Sequence, residues 1–227
     1  AVMEGIMLQA KRVTLFAGHY GSGKTNVALN LAYMIKENYD KTVIADLDIV
    51  NPYFRTKDSI EELENRGIKL IASEYAGTNV DIPALPQEMY SIIHDKSLKA
   101  IIDVGGDDRG ALALGRLSPA IKEENDYEML FVFNKFRPLT PTAEEALEIM
   151  REIEVACKIN FTAIVNNSNL GELTTPEDVL SSVNETQRLS EISGLPVKMT
   201  TVRADLVNNL NGKVENLFPL TLQNKIV

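Results

Sequence analysis

The sequence has no tryptophan, one cysteine and two histidines in 227 residues. A single thiol, Cys157, excludes an internal disulfide, and it cannot by itself build a four-thiolate metal or iron–sulfur site. Two chains meeting across a dimer axis would still supply too few thiols. Cys157 lies in a helical apolar pattern and reads as core. Long apolar runs are also missing: none approaches the ~18 residues of a spanning helix, and no secretory signal pattern opens the chain. A cytoplasmic, soluble protein with no membrane insertion is the expectation. The C-terminal stretch Asn216-Leu217-Phe218-Pro219-Leu220 lacks the basic amphipathic face of a membrane-targeting helix. Basic residues are scarce as well. With 23 Lys and Arg against 32 Asp and Glu the net charge is −9, so no bulk nucleic-acid binding is expected.

A substantial core is available, since 44% of residues are hydrophobic. No repeat, low-complexity tract or linker interrupts the chain. One domain over residues 1–227 is expected, with 1–10 as an N-terminal extension and 206–227 as a C-terminal tail. Continuously apolar strands are read at 13–17, 41–45, 68–72, 100–104, 129–133, 161–165 and 196–200. Helical patterns lie between them, at 27–35, 59–65, 87–94, 109–117, 119–124, 142–157 and 176–192. Strands that alternate with helices, and are apolar throughout rather than at every second position, imply an α/β fold. Its sheet is mostly parallel, with helices on both faces.

The chain is organised around Gly18-His19-Tyr20-Gly21-Ser22-Gly23-Lys24-Thr25, which reads G-x-x-x-x-G-K-T. This is the phosphate-binding P-loop, and its context of strand, loop and helix gives a P-loop NTPase fold. Glycines let the backbone turn sharply and bring several N–H groups to a phosphate chain. Lys24 reaches the β- and γ-phosphates as a point charge, and the Thr25 hydroxyl ligates Mg²⁺. The positive end of the following helix favours the anion further.

In open parallel sheets ligands sit beyond the carboxyl ends of strands, so the residues there are candidates first. Asp46 and Asp48 end the second strand. Asp103 begins Asp103-Val104-Gly105-Gly106, a D-x-x-G. A Mg²⁺ bound to phosphates needs few carboxylates and several waters. The glycine of D-x-x-G, Gly106, can offer its N–H to a γ-phosphate and so form a switch. Turn or cap chemistry is the alternative for each of these acids, and Asp107 and Asp108 read more readily as solvated caps. Tyr53 and Phe54, beside Pro52, read as a nucleotide-responsive partner surface or equally as a turn anchor.

Together, the P-loop, Ile44-Ala45-Asp46-Leu47-Asp48-Ile49 and the D-x-x-G resemble the MinD/ParA/nitrogenase-iron-protein class of dimerising NTPases, which includes the CobB/CobQ synthetases. The resemblance spans roughly residues 11–205. It implies ATP and Mg²⁺ as cofactors, a nucleotide switch with ATPase activity, a homodimer in the ATP state and a protein partner whose identity the sequence does not give. It makes Asp48 the residue that orients the attacking water and touches the Mg²⁺ shell. Asp103 becomes the Mg²⁺ carboxylate. The family's loop reads G-K-G-G-x-G-K-T-T; here the signature-lysine position is His19, the next glycine is Tyr20, and the last threonine is Asn26. Slow basal hydrolysis is therefore expected, with an Arg or Lys of a partner, or this chain's own Arg55 or Arg109, as candidate replacement cations. His19 could reach phosphate when protonated, or serve as an ordinary loop histidine; Tyr20 could cover the nucleotide or simply pack. The same class leaves two alternatives open: a ligase like CobB or dethiobiotin synthetase, and a metalloenzyme-maturation ATPase. A nucleotide-binding regulator without turnover is a further one.

For the base, Asn134-Lys135-Phe136-Arg137 resembles the guanine-reading N-K-x-D but places Arg137 where an acceptor is needed, and a guanidinium only donates. The family reads its base after the next strand. Asn166-Asn167 stand there, and an Asn amide can pair with both N6 and N7 of adenine. Turn chemistry is the other reading of that pair. By the same resemblance Arg203, after the last strand, could stack on the base.

Overall fold

The computed structural model of the protein describes residues 10–48, 57–72, 85–106 and 108–222. The seven apolar runs become β1 (Val13–Ala17), β2 (Thr42–Leu47), β3 (Lys69–Ala72), β4 (Lys99–Val104), β5 (Tyr127–Phe133), β6 (Ala163–Asn166) and β7 (Val197–Arg203), and β8 (Leu217–Leu220) makes eight strands among the described residues. They form a single sheet in the order β3-β2-β4-β1-β5-β6-β7-β8. Every neighbouring pair is parallel. The helices are α1 (Lys24–Lys36), α2 (Lys57–Asn65), α3 (Met89–His94), α4 (Asp108–Glu124), α5 (Ala143–Cys157), α6 (Pro176–Ser193) and the one-turn α7 (Val207–Leu210).

Side chains alternate across the sheet because the strand period is two, and both faces are buried. Leu15, Ala45, Ile102 and Phe131 face one core together with Ile92, Leu114 and Met150 from α3, α4 and α5. Phe16, Ile44, Ile101 and Val132 face a second core with Val27, Leu31 and Ile35 of α1 and Leu63 of α2. This parity fixes the acids. Asp46 follows Ile44 by two residues and Asp103 follows Ile101 by two, so both lie on the α1 face. They are also direct partners in the β2–β4 register.

Three features differ from the sequence reading. The two helices expected at 109–117 and 119–124 are one continuous α4 with Pro119 inside it. A proline there leaves the Gly115 carbonyl without its usual N–H. The Ser118 hydroxyl donates to that carbonyl at 3.1 Å and fills the gap. The segment read as a tail from 206 supplies α7 and β8, burying Leu210, Phe218 and Leu220. Pro219 is tolerated in β8 because that strand lies at the sheet edge. The N–H of Thr221 just beyond it donates to the Asn30 side chain of α1 at 2.9 Å. Finally, Phe161 lies outside β6, packing edge-on against Phe131 with ring centres 5.2 Å apart. No helix among the described residues is long and apolar enough to cross a membrane.

Candidate functional site

The P-loop leaves β1 between β4 and β5, and its glycines are explained one by one by that passage. A Cβ on Gly18 would stand 2.6 Å from the Val132 carbonyl oxygen, so no other residue fits there. Gly23 caps α1 in the left-handed region, at φ 85°, and offers no side-chain acceptor to the first turn. The first N–H groups of a thirteen-residue helix are therefore left open to an external anion. The Ser22 N–H donates to the His19 carbonyl at 3.0 Å and tightens the loop. The His19 ring Nδ1 sits 2.8 Å from the Tyr20 carbonyl oxygen, to which it donates. His19 thus braces its own loop in this state, while the Tyr20 ring is exposed. Asn26, the third residue of α1, is half-buried, and its carbonyl accepts from the Asn30 amide at 2.8 Å.

Lys24 is only 4% exposed, and its Nζ lies 3.9 Å from Asp48 Oδ2. Asp48 stands just past β2, where its N–H donates to Asp46 Oδ1 at 2.8 Å. Asp46 therefore shapes the turn that presents Asp48. On the neighbouring strand Asp103 is fully buried, and Thr25 donates its hydroxyl to Asp103 Oδ2 at 2.5 Å. The other oxygen, Oδ1, is buried without a hydrogen-bond partner among the described residues. Burial pushes the Asp103 carboxyl up to about 6. Lys24 and the Thr25 hydroxyl hold it down against that, and the Asp48 charge pushes it further up.

An orphaned carboxylate oxygen beside a threonine hydroxyl suits a hard divalent cation that takes its remaining ligands from phosphate and water. Among the described residues no cluster of three His, Cys, Asp or Glu side chains forms a cage for a metal on its own. Thr25, Asp103 and Asp48 could hold Mg²⁺ only in company with a phosphate chain. Gly106 completes the corner: a Cβ there would lie 2.7 Å from the Tyr20 nitrogen, so the D-x-x-G backbone rests directly on the P-loop.

The raised Asp103 gives a stability prediction. Its folded pKa lies above the unfolded value, so the folded state binds the extra proton. This group thus stabilises most below pH ~4, and the benefit is lost as pH rises through 6. At pH 8 the protein carries a buried ionised carboxylate. Asp103→Asn should stabilise the nucleotide-free protein at pH 8 by up to about 3 kcal/mol, the equivalent of the shift. The gain should vanish near pH 4. Urea unfolding at both values checks this, and an equal effect at the two pH values would contradict it.

Asn166 and Asn167 have different surroundings. The Asn166 amide donates to Ser182 Oγ of α6 at 2.8 Å and its oxygen accepts from Ser168 N–H at 3.2 Å. The Asn167 amide donates to the Ser22 carbonyl of the P-loop at 2.7 Å, and its oxygen accepts from the Thr201 hydroxyl at 2.5 Å. Asn167 is thus a clip between the P-loop and β7. Arg203 chelates Asp205 through Nε and Nη2, at 2.5 and 2.9 Å, and donates to the Glu172 carbonyl. It braces the turn at Gly171–Leu173.

Next to the P-loop opens a cavity of about 640 Å³. Gly23, Asn26 and Asn167 line it, as do Phe136 and Arg137 after β5 and the 169–173 turn after β6. Neither Asn166 nor Arg203 reaches it. The sequence reading weighed Arg137 only as a missing acceptor and passed over Phe136, Asn169 and Glu172. Their signal was the position of both loops, after adjacent strands at the ligand end of the sheet. Asn134 binds these loops together, its Oδ1 accepting from Phe136 N–H at 3.0 Å and from Asn169 N–H at 3.4 Å. Elsewhere Cys157 is buried, and burial pushes its thiol up to about 12, which fits core. Arg109 is exposed at the start of α4. Tyr53, Phe54, Arg55 and Asp107 lie outside the described residues.

This architecture is similar to that of the cell division protein FtsY from Thermotoga maritima. The TM-score is 0.57 at 19% identity, over 84% of this chain and 61% of that one. It is also similar to FtsY from Mycoplasma mycoides, with a TM-score of 0.50 at 17% identity, over 84% of this chain and 60% of that one. The signal recognition particle receptor FtsY from Elizabethkingia anophelis, in complex with GDP, matches with a TM-score of 0.49 at 17% identity, over 98% of this chain and 67% of that one. The chain spans about three fifths of the length of the first two. No protein-family model matches the chain, and no curated protein matches it. At this identity the likeness shows the fold: a parallel α/β sheet of the P-loop NTPase type.

Proposed function

We propose that the chain is a Mg²⁺-dependent, ATP-binding switch that hydrolyses its nucleotide slowly, in the manner of the MinD/ParA class. One observation carries the reading. Lys24, Thr25, Asp48 and Asp103, from three different elements, converge at the N-terminus of α1, where no side chain caps the helix, and one buried Asp103 oxygen has no hydrogen-bond partner among the described residues. When bound, Mg²⁺ supplies charge neutralisation across the β- and γ-phosphates. The chain's residues do the rest. Backbone N–H groups of residues 21 and 23–25 cradle the phosphates, Lys24 meets the negative charge, and Asp48 orients a water in line. Gly106, packed on the P-loop, is placed to sense the γ-phosphate. A protein partner and a homodimer in the ATP state belong to the same reading, with His19 where the class has its lysine.

The base would occupy the neighbouring cavity. Arg137 there cannot accept from guanine N1 and N2, which favours ATP. A second reading, GTP, has its own observation: Glu172 is among the lining residues, and a carboxylate is the acceptor guanine needs. Isothermal titration with ATP and GTP, each with Mg²⁺, tests both. Saturable binding with ATP the tighter is the expected outcome. Tighter GTP would transfer the base assignment to Glu172, and no binding of either would remove the switch reading altogether.

A further inference from the structure

Arg137 is a cation whose place on the P-loop the motif does not explain. Its guanidinium carbon and Nε lie 3.6 Å, and Nη1 3.8 Å, from where a Cβ on Gly21 would stand. Gly21 has φ +74° and no side chain, so the planar group lies directly against the middle of the loop. Its backbone is held fast. The Arg137 N–H donates to the Asn134 carbonyl at 3.1 Å, and the Arg137 carbonyl accepts from Thr140 N–H at 3.1 Å. Asn134 is itself fastened to Asn169. From this anchored backbone the guanidinium lies at the junction between the P-loop and the 640 Å³ cavity that Arg137 also lines.

Arginine ion pairs among the described residues are made by Arg12, Arg66, Arg151, Arg188 and Arg203. Arg137 makes none there, although the chain carries an excess of acids. An exposed guanidinium on an anchored backbone, beside a loop of phosphate-cradling N–H groups, has the geometry to meet phosphate oxygens bidentately. The P-loop offers only Lys24 as a permanent cation, because position 19 is a histidine whose ring is turned to the Tyr20 carbonyl.

We propose that Arg137 is a phosphate-binding residue of this site, supplying from the same chain the second positive charge that the P-loop lacks. This rests on the nucleotide reading above. It goes beyond it in assigning to the loop after β5 a grip on the phosphates rather than recognition of the base.

Binding of ATP, ADP and adenosine to the wild type, Arg137→Ala, Arg137→Gln and Arg137→Lys tests it, with thermal melting of each nucleotide-free protein as the folding check. The side chain is exposed, so the melting temperature should stay unchanged. Arg137→Ala and Arg137→Gln should weaken ATP and ADP by about 10- to 10²-fold, the range of charge-assisted hydrogen bonds. Adenosine should be affected by less than about twofold. Arg137→Lys should restore part of the loss, since a point charge remains without the fork. If the wild type binds ATP and all variants bind it equally, Arg137 has no such role while the nucleotide reading stands. An equal loss for adenosine and ATP would mean the guanidinium acts on the base or the loop, and would overturn the proposal. A wild type that binds none of the three ligands overturns the nucleotide reading and this proposal together.

Discussion

Lys24→Ala should weaken binding of Mg-ATP by at least about 10²-fold, measured by isothermal titration. Two effects combine. Lys24 is only 4% exposed and its ammonium lies 3.9 Å from Asp48 Oδ2, so its charge acts in a weakly screened place. It is also the cation set against a trio of negative charges once a triphosphate enters beside Asp48 and Asp103. Without it, the 3.9 Å pairing with Asp48 is lost. The Asp103 carboxyl also loses the first of the interactions that hold it down against burial. The nucleotide-free variant should therefore be less stable at pH 8 than the wild type. The double variant Lys24→Ala/Asp103→Asn separates the two consequences: it should regain stability and still fail to bind ATP. If the single variant binds ATP as the wild type does, Lys24 is a structural partner of Asp48 and nothing more. If the double variant regains binding, the loss in the single variant came from misfolding of the acidic corner.

That corner shows what the sequence could and could not reveal. The P-loop was legible because its chemistry is compressed into eight consecutive residues, each constrained by the backbone or by phosphate. Asp103 and Asp48 were legible because apolar strands end abruptly on them, and strand ends are where such sheets place ligands. The pairing of Asp46 with Asp103 across the β2–β4 register was not legible, since it depends on strand order. Strand order is set by packing and crossovers over the whole chain. The same holds for Asn167. Its local context is an Asn-rich turn, yet its amide reaches 145 positions back to the Ser22 carbonyl. Arg137 illustrates a different loss. Within the N-K-x-D pattern the residue is defined only by the acceptor it lacks at a guanine site. Only three dimensions show it against Gly21. In the fold, β8 escaped because a four-residue edge strand containing proline carries almost no periodic signal. The pattern splits α4 into 109–117 and 119–124 because the Ser118 bond that compensates for Pro119 is a side-chain detail.

Asp48→Asn should leave ATP binding largely intact and reduce turnover by about 10²-fold or more, within the range that general-base groups supply. Asparagine keeps the size of the side chain and the backbone N–H that Asp46 Oδ1 accepts, so the turn after β2 should persist. It loses the negative charge that faces Lys24 and would orient a water in line with the γ-phosphate. Positioning and electrostatics do most of the work in phosphoryl transfer, so this loss should appear in the rate rather than the affinity. Affinity should be pulled the other way: with Asp48 neutral, the Lys24 ammonium is freed for phosphate, and one like charge beside Asp103 is gone. The discriminating measurement is single-turnover hydrolysis beside titration on the same protein preparation. Reduced turnover with equal or tighter ATP binding is the expected pair of results. Unchanged turnover would transfer the water-orienting role to another acid, with Asp46, on the α1 face one residue inside the strand end, the next to substitute.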